Sequence, residues 1–127
     1  MELEQRAAGT FSHDPEQGIV SLVWSDCNLD EDIVKEMLVR FGEHAKAHPD
    51  SALLVDARKF TFAWEPEMDA WRDASVIPTY NDAGVRKFAF VFGDAVPIRP
   101  PAQTPPARYE TGAFHSVDDA RGWLSAN

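Results

Sequence analysis

The chain has 127 residues, of which 44% are hydrophobic and 11% aromatic, so it is expected to form one domain with its own core rather than a disordered segment. Its 12 basic and 21 acidic residues give a net charge of −9, which disfavours general binding to nucleic acid or anionic lipid. Cys27 is the only cysteine, no secretory signal is visible, and no apolar run approaches the ~20 residues that span a bilayer, so a soluble cytoplasmic domain is expected.

The first third of the chain predicts a hairpin followed by a helix. Residues 1–8 are weakly patterned and fit a short strand, a helical stub or a frayed end. Residues 10–13 and 19–24 are strand-like and are separated by turn residues, which is typical of a hairpin. Asp30 is a helix N-cap followed by an apolar stripe at helical spacing, and Pro49 ends this helix.

The middle of the chain predicts two strands around a second helix. Residues 52–56 are almost continuously apolar, which indicates a buried central strand that is parallel to its neighbour. Pro66 is well placed at the start of a helix, and Pro78 ends or kinks it. Residues 87–92 predict another strand.

The last third begins with a Pro-rich segment, residues 95–108, which can be neither a helix nor a central strand. It is interpreted as a surface loop, with a polyproline II ligand for a partner module as the less favoured reading. Residues 109–114 predict a short strand at the sheet edge, and Ser116 caps a final helix in a box-like pattern with Asp119.

Helices that are separated by strands predict an α/β fold in a single domain over residues 1–127. We expect a mixed, mainly parallel sheet of about five strands. The right-handed crossover rule places the helices mostly on one face of that sheet.

Four segments, in this order, resemble the SpoIIAA-like branch of the STAS superfamily, the sulphate transporter and anti-sigma factor antagonist domains. They are GIVSLVW (18–24), LLVD (53–56), RKFAFVFGD (86–94) and AFHSVDDARGWL (113–124). The resemblance implies a STAS-like fold, no enzymatic activity, and a regulatory or protein-interaction role.

Antagonists in the wider superfamily carry a phosphorylatable serine after the central strand. Here the corresponding stretch, residues 56–64, lacks the Asp-Ser-Ser-Gly-like run, and Thr61 is its only hydroxyl, between two phenylalanines. The chain departs from the family pattern at this point, and Thr61 is the one position that the resemblance offers for phosphorylation.

Aromatic residues concentrate in the window after the central strand. Functionally, such residues could line an apolar pocket or a groove for a partner, whereas structurally they are more often core, and the core interpretation is favoured. The candidate ligand- or partner-binding residues are Phe60, Phe62, Trp64, Trp71 and Tyr80.

No residue pattern supports catalysis, a metal or a cofactor. Asp30 and Asp32, near Asp26 and Cys27, are explained by helix capping, and no metal-binding, nucleophile or phosphate-loop motif occurs. Nothing in the spacing pairs Cys27 with a histidine.

Two hypotheses follow. The first is a non-enzymatic STAS-like domain that works through a protein partner or its own dimer. The alternative is a carrier or sensor of a small apolar or lipid-like ligand, held in a pocket between the helices and the sheet near Trp64 and Trp71.

Overall fold

The computed structural model describes residues 1–98, 102–103 and 106–126, and within them seven strands and four helices follow one another. The strands are β1 Glu2–Arg6, β2 Gly9–Asp14, β3 Ile19–Trp24, β4 Ala52–Asp56, β5 Lys87–Val91, β6 Ala102–Gln103 and β7 Glu110–Phe114. The helices are α1 Glu31–Ala47, α2 Pro66–Ser75, α3 Ile77–Asp82 and α4 Val117–Ser125. None of the helices in this part of the chain has the length and apolar character needed to cross a membrane.

All the strands join one sheet in the order β1-β2-β3-β4-β5-β7-β6. The central pairs β3–β4, β4–β5 and β5–β7 are parallel, whereas β1–β2, β2–β3 and β6–β7 are antiparallel. The expected single α/β domain with a mixed sheet is therefore confirmed. The sheet is wider than the expected five strands because short strands are added at both edges.

Both edges differ in detail from the sequence-based expectation. Of the three options for residues 1–8, the structure adopts the strand, since β1 pairs with β2 through Gln5 and Thr10. The expected edge position of residues 109–114 is wrong, because β6 pairs outside β7. β6 interrupts the Pro-rich loop predicted for residues 95–108, of which residues 99–101 and 104–105 lie outside the described residues.

The helices cover the two faces of the sheet unequally. One hydrophobic cluster joins α1, α2 and α3 to a first face, and a smaller cluster joins α4 to the second face. The expectation of helices mostly on one face is confirmed. Strand β4 lies between the two layers: Leu53 and Val55 pack towards the first face, and Ala52 and Leu54 towards the second.

The ends of α1 and α4 follow the predicted capping. The Asp30 side chain accepts a hydrogen bond from the backbone N–H of Ile33 at 2.8 Å. The Ser116 hydroxyl oxygen accepts from the N–H of Asp119 at 3.0 Å. These bonds satisfy N–H groups that have no partner inside the helix, and so they fix where each helix begins.

The helix predicted from Pro66 is divided into two. α2 ends at Ser75, and α3 begins at Ile77 with Pro78 in its first turn. Pro78 has no N–H to donate to the carbonyl of Ala74, and its ring would clash with that carbonyl in a straight helix, which favours the observed break between α2 and α3.

Candidate functional site

Strands β3, β4 and β5 are parallel, so their carboxyl ends meet at one edge of the sheet. These ends are Trp24, Asp56 and Val91. The loops that follow the strands and the first turns of α1 and α2 meet there as well. In open α/β sheets this edge is the usual place for binding sites.

Asp56 and Arg58 form a two-point ion pair at the end of β4. The Arg58 Nε donates to Asp56 Oδ1 at 2.9 Å, and its Nη2 donates to Oδ2 at 2.6 Å. Asp56 is 7% exposed. The hydrogen bonds from Arg58 hold the pKa of the Asp56 carboxyl below its usual value, although burial opposes this. Both carboxylate oxygens are thus engaged, and the pair fixes how the chain leaves the strand.

Phe60 and Phe62 follow this turn and reach back to the end of β3. The ring centroids of Trp24 and Phe60 lie 4.8 Å apart, and those of Phe60 and Phe62 lie 6.2 Å apart in an edge-on arrangement. Both phenylalanines are half-buried and pack against the larger hydrophobic cluster. Thr61 lies between them and is exposed.

Trp64 lies on the surface, just before α2, in a fixed orientation. Its side chain is one of the exposed large apolar groups, at 37%. The indole Nε1 donates to Asp69 Oδ1 at 2.7 Å, and the Arg72 guanidinium lies 5.8 Å from the ring centroid. Arg72 also pairs with Asp69 at 3.4 Å, so two side chains of α2 hold the indole.

Trp71 has a different environment, on the side of α2 that meets α1. It is half-buried and packs against the larger cluster. The Lys35 ammonium of α1 lies 5.3 Å from its ring centroid. Trp71 therefore helps join the two helices, and it has a smaller share in the exposed surface than Trp64.

Tyr80 belongs to the core. Its ring lies 6.0 Å from Phe41 and 5.6 Å from Phe88, centroid to centroid. Burial raises the pKa of its phenol well above the usual value. Within the described residues its hydroxyl is the one buried side-chain polar atom that has no hydrogen-bond partner. The structure thus separates Tyr80 from the other four aromatic residues singled out in the sequence.

Three further aromatic residues at this edge were not among the sequence candidates. Phe90 of β5 and Phe92, just after this strand, continue the row that begins at Phe88, and the Phe90 and Phe92 rings lie 5.6 Å apart and nearly parallel at 11°. Trp24 is the third. The sequence does contain a signal for Phe90 and Phe92. Together with Phe88 they alternate with small or aliphatic residues, which is the period of a strand.

We use the name aromatic edge for the side chains that surround the carboxyl ends of β3, β4 and β5. Its members are Trp24, Phe60, Phe62, Trp64, Trp71, Phe90 and Phe92. Apart from the buried Trp24 and the exposed Trp64, they are half-buried. Such a group can contribute apolar area to a contact while remaining ordered by the core beneath it.

Two clefts are present elsewhere in the described part of the chain. One, of about 170 Å³, lies between α1 and the junction of α2 with α3, beside Gly42, Val76 and Thr79. The other, of about 310 Å³, lies between the β2–β3 hairpin and α4. Neither is lined by the five sequence candidates. In this same part of the chain, no three His, Cys, Asp or Glu side chains come together as metal ligands would.

The chain matches no family model, no curated protein and no solved structure in the comparisons with known proteins. The fold and the aromatic edge are therefore findings about this chain alone.

Proposed function

We propose that this chain is a non-enzymatic STAS-like domain, similar to the SpoIIAA-like branch, that binds a protein partner or a second copy of itself through the aromatic edge. The observation that carries the proposal is the state of Trp64. It is exposed and yet held by the Asp69 carboxylate and the Arg72 guanidinium. Tryptophan is enriched among the residues that dominate binding energy at interfaces. A side chain that is already ordered loses less conformational entropy when it binds.

The polar groups of this edge support binding rather than catalysis. Both oxygens of Asp56 accept hydrogen bonds from Arg58, and Asp69 accepts from Trp64. A general acid or base needs a free position from which to exchange a proton with a substrate. Asp56 has no such free oxygen and positions the chain, whereas Asp69 positions the indole through Oδ1.

The setting we propose is the cytoplasm, with a protein rather than a nucleic acid as the partner. Cys27 is a free, half-buried thiol, which is compatible with a reducing compartment. The net charge of −9 repels phosphate backbones.

The test compares wild type with Trp64→Ala and with Val23→Ala. Val23 is a matched control because it is also an exposed apolar residue, at 44%, but lies on the opposite face of the sheet. Quantitative pull-downs identify the partners, and sedimentation velocity measures self-association. We expect a specific partner or a dimer that Trp64→Ala loses and Val23→Ala retains. Unchanged partners and unchanged self-association in Trp64→Ala would overturn the proposal.

The second candidate function is a carrier or sensor of a small apolar or lipid-like ligand. One observation favours it: Met68 is the only buried residue among the ten of α2. Phe60, Phe62, Phe90 and Phe92 pack against the same cluster as Met68 while remaining half-buried. A small movement of this weakly anchored helix would expose an aromatic surface to a ligand.

The carrier hypothesis is tested by titrating the intrinsic tryptophan fluorescence with decanoate. A saturable change that Trp71→Phe alters supports a ligand site beneath α2. If the fluorescence does not change and the protein partner is still bound, the carrier hypothesis is rejected and the protein-interaction function is retained.

A further inference from the structure

The 310 Å³ cleft lies on the α4 face, away from the aromatic edge. Ser12 of β2 and Ser21 of β3 line it, and the two residues are directly paired in the register of the hairpin. Side chains of directly paired residues project from the same face of a sheet. The two hydroxyl groups therefore lie side by side in the cleft.

These hydroxyls have no hydrogen-bond partner among the described residues, although Ser21 is only 6% exposed. Among the described residues only Tyr80 has a fully buried side-chain oxygen without a partner, so the Ser21 oxygen keeps some access from the cleft. A hydroxyl that has no partner in the described residues and can be reached from a cleft is available to hydrogen-bond a ligand.

Arg121 of α4 forms a wall of the same cleft. Its Nη1 donates to Asp14 Oδ2 at 3.1 Å and to Gln17 Oε1 at 2.9 Å. These bonds hold the guanidinium over the hairpin. The other guanidinium nitrogens, Nε and Nη2, donate to no group in the described part of the chain. A fixed guanidinium with free N–H groups matches the geometry of a carboxylate.

The other charged groups that line the cleft indicate which class of ligand it can bind. Asp14 is fully engaged, because its Oδ1 accepts from the N–H groups of Glu16 and Gln17 at 3.0 and 3.2 Å. The α-amino group of Met1 donates to the carbonyl of His13 at 2.8 Å. The carboxylate of Glu16 is exposed and has no partner in the described residues. A ligand that places a carboxylate at Arg121 therefore meets a free negative charge at Glu16.

We infer that this cleft binds a small zwitterion of the amino acid class, with its carboxylate on Arg121, Ser12 and Ser21 and its ammonium facing Glu16. A zwitterion carries no net charge, so the chain's overall charge of −9 does not repel it as it would an anion. The volume of about 310 Å³ is at the small end of the range for ligand sites, which suits a single amino acid. This inference is independent of the aromatic edge.

The experiment is a titration of isotope-labelled protein with L-alanine, followed by amide chemical shifts of the cleft residues. Acetate and methylammonium are titrated separately as half-ligands. Ser21→Ala removes one of the two cleft hydroxyls, and Ser75→Ala is the matched control because Ser75 is exposed beside the other cleft. Ser12→Ala provides a second variant in case Ser21→Ala does not fold.

We expect saturable shifts with L-alanine at Ser12, Ser21 and Arg121, an affinity that falls about tenfold in Ser21→Ala, and no change in Ser75→Ala. Weaker binding of acetate and of methylammonium than of alanine supports the zwitterion. The inference is overturned by the absence of saturable shifts in wild type or by equal affinities in Ser21→Ala and wild type. Acetate binding as tightly as alanine would overturn the assignment of the ligand class.

Discussion

Glu4 of β1 and His44 of α1 are joined by a contact of 2.8 Å between Oε1 of the carboxylate and Nε2 of the imidazole. The other oxygen, Oε2, accepts from Arg40 Nη1 at 3.0 Å. An edge strand of mainly charged and polar residues is thus anchored to the longest helix by its side chains. The His44 hydrogen bond, aided by Arg6 and Arg40, lowers the pKa of Glu4 below its ordinary value of 4.5, while burial opposes this.

Replacing Glu4 with glutamine is expected to lower the free energy of unfolding at pH 7 by roughly 1 kcal/mol, because the pairs are partly exposed and screened by solvent. A carboxyl whose pKa is lower in the folded state stabilises the folded protein at pH values above its unfolded-state pKa. This stabilisation is lost as the pH falls through the folded-state pKa. Urea unfolding at pH 7 and pH 3 measures the difference, which should shrink at the lower pH. Glu2→Gln, on the same strand at an exposed position, is the control. A difference between wild type and Glu4→Gln that is larger at pH 3 would contradict this assignment.

Replacing Arg58 with alanine leaves the buried Asp56 carboxylate without its main partner. We expect the free energy of unfolding at pH 7 to fall by about 1 kcal/mol. This is at the low end for hydrogen bonds between charged groups, because the Arg58 side chain is 51% exposed. The pKa of Asp56 is lowered in the folded protein, so the loss should decrease as the pH falls through that lowered pKa. Lys59→Ala, at the exposed neighbouring position, removes only a weaker charge–charge contribution to Asp56 and should lose less stability than Arg58→Ala. Equal stabilities of the two variants at pH 7 would argue against a structural role for the Asp56–Arg58 pair.

Replacing Tyr80 with phenylalanine removes only a buried hydroxyl without a partner. Because that hydroxyl has lost its hydrogen bonds to water, the variant should be as stable as wild type or more stable, by up to about 1–3 kcal/mol. Thermal unfolding measures the change. Tyr80→Ala, which also removes the ring from the contacts with Phe41 and Phe88, should instead lose about 3–5 kcal/mol. A clear loss of stability in Tyr80→Phe would mean that the hydroxyl makes a hydrogen bond.

Gly84 is required by the connection from α3 to β5. Its φ of +73° lies in the left-handed region, and a β-carbon would meet the carboxylate of Asp50, which itself has a φ of 63°. We expect Gly84→Ala to destabilise the protein by more than about 1 kcal/mol in chemical unfolding. Gly93→Ala is the matched control, since nothing lies within 4 Å of its β-carbon position and its φ is not positive. Similar unfolding midpoints for the two variants would contradict the expected strain.

The sequence predicted well those elements whose signals are local. The Asp30 cap and the apolar stripe of α1, the uninterrupted apolar run of β4 and the Ser116 cap of α4 each lie within a few consecutive residues. The two-residue strand β6 was missed because its position depends on pairing with β7 and not on its own composition.

The candidate sites were less predictable because they depend on long-range contacts. Tyr80 and Trp64 belong to one aromatic window in the sequence, but Tyr80 faces the core because α3 turns it towards Phe41 and Phe88. Ser12 and Ser21 become neighbours only through the hairpin register, and Arg121 reaches them from the last helix. No local sequence pattern predicts that residues from these three distant segments lie close together.

The position of β4 between two helical layers determines how the chain tolerates substitution. All five of its residues are buried: the first four enter the two cores alternately, and the fifth, Asp56, pairs with Arg58. A saturation mutagenesis scan should therefore find five consecutive intolerant positions there. In β2 only Gly9 and Phe11 are buried, so substitutions should be poorly tolerated at these two positions and better tolerated at the positions that alternate with them. Almost every substitution in the central strand is therefore expected to destabilise the protein, and neutral sequence variation is expected mainly in the strands at the edges of the sheet.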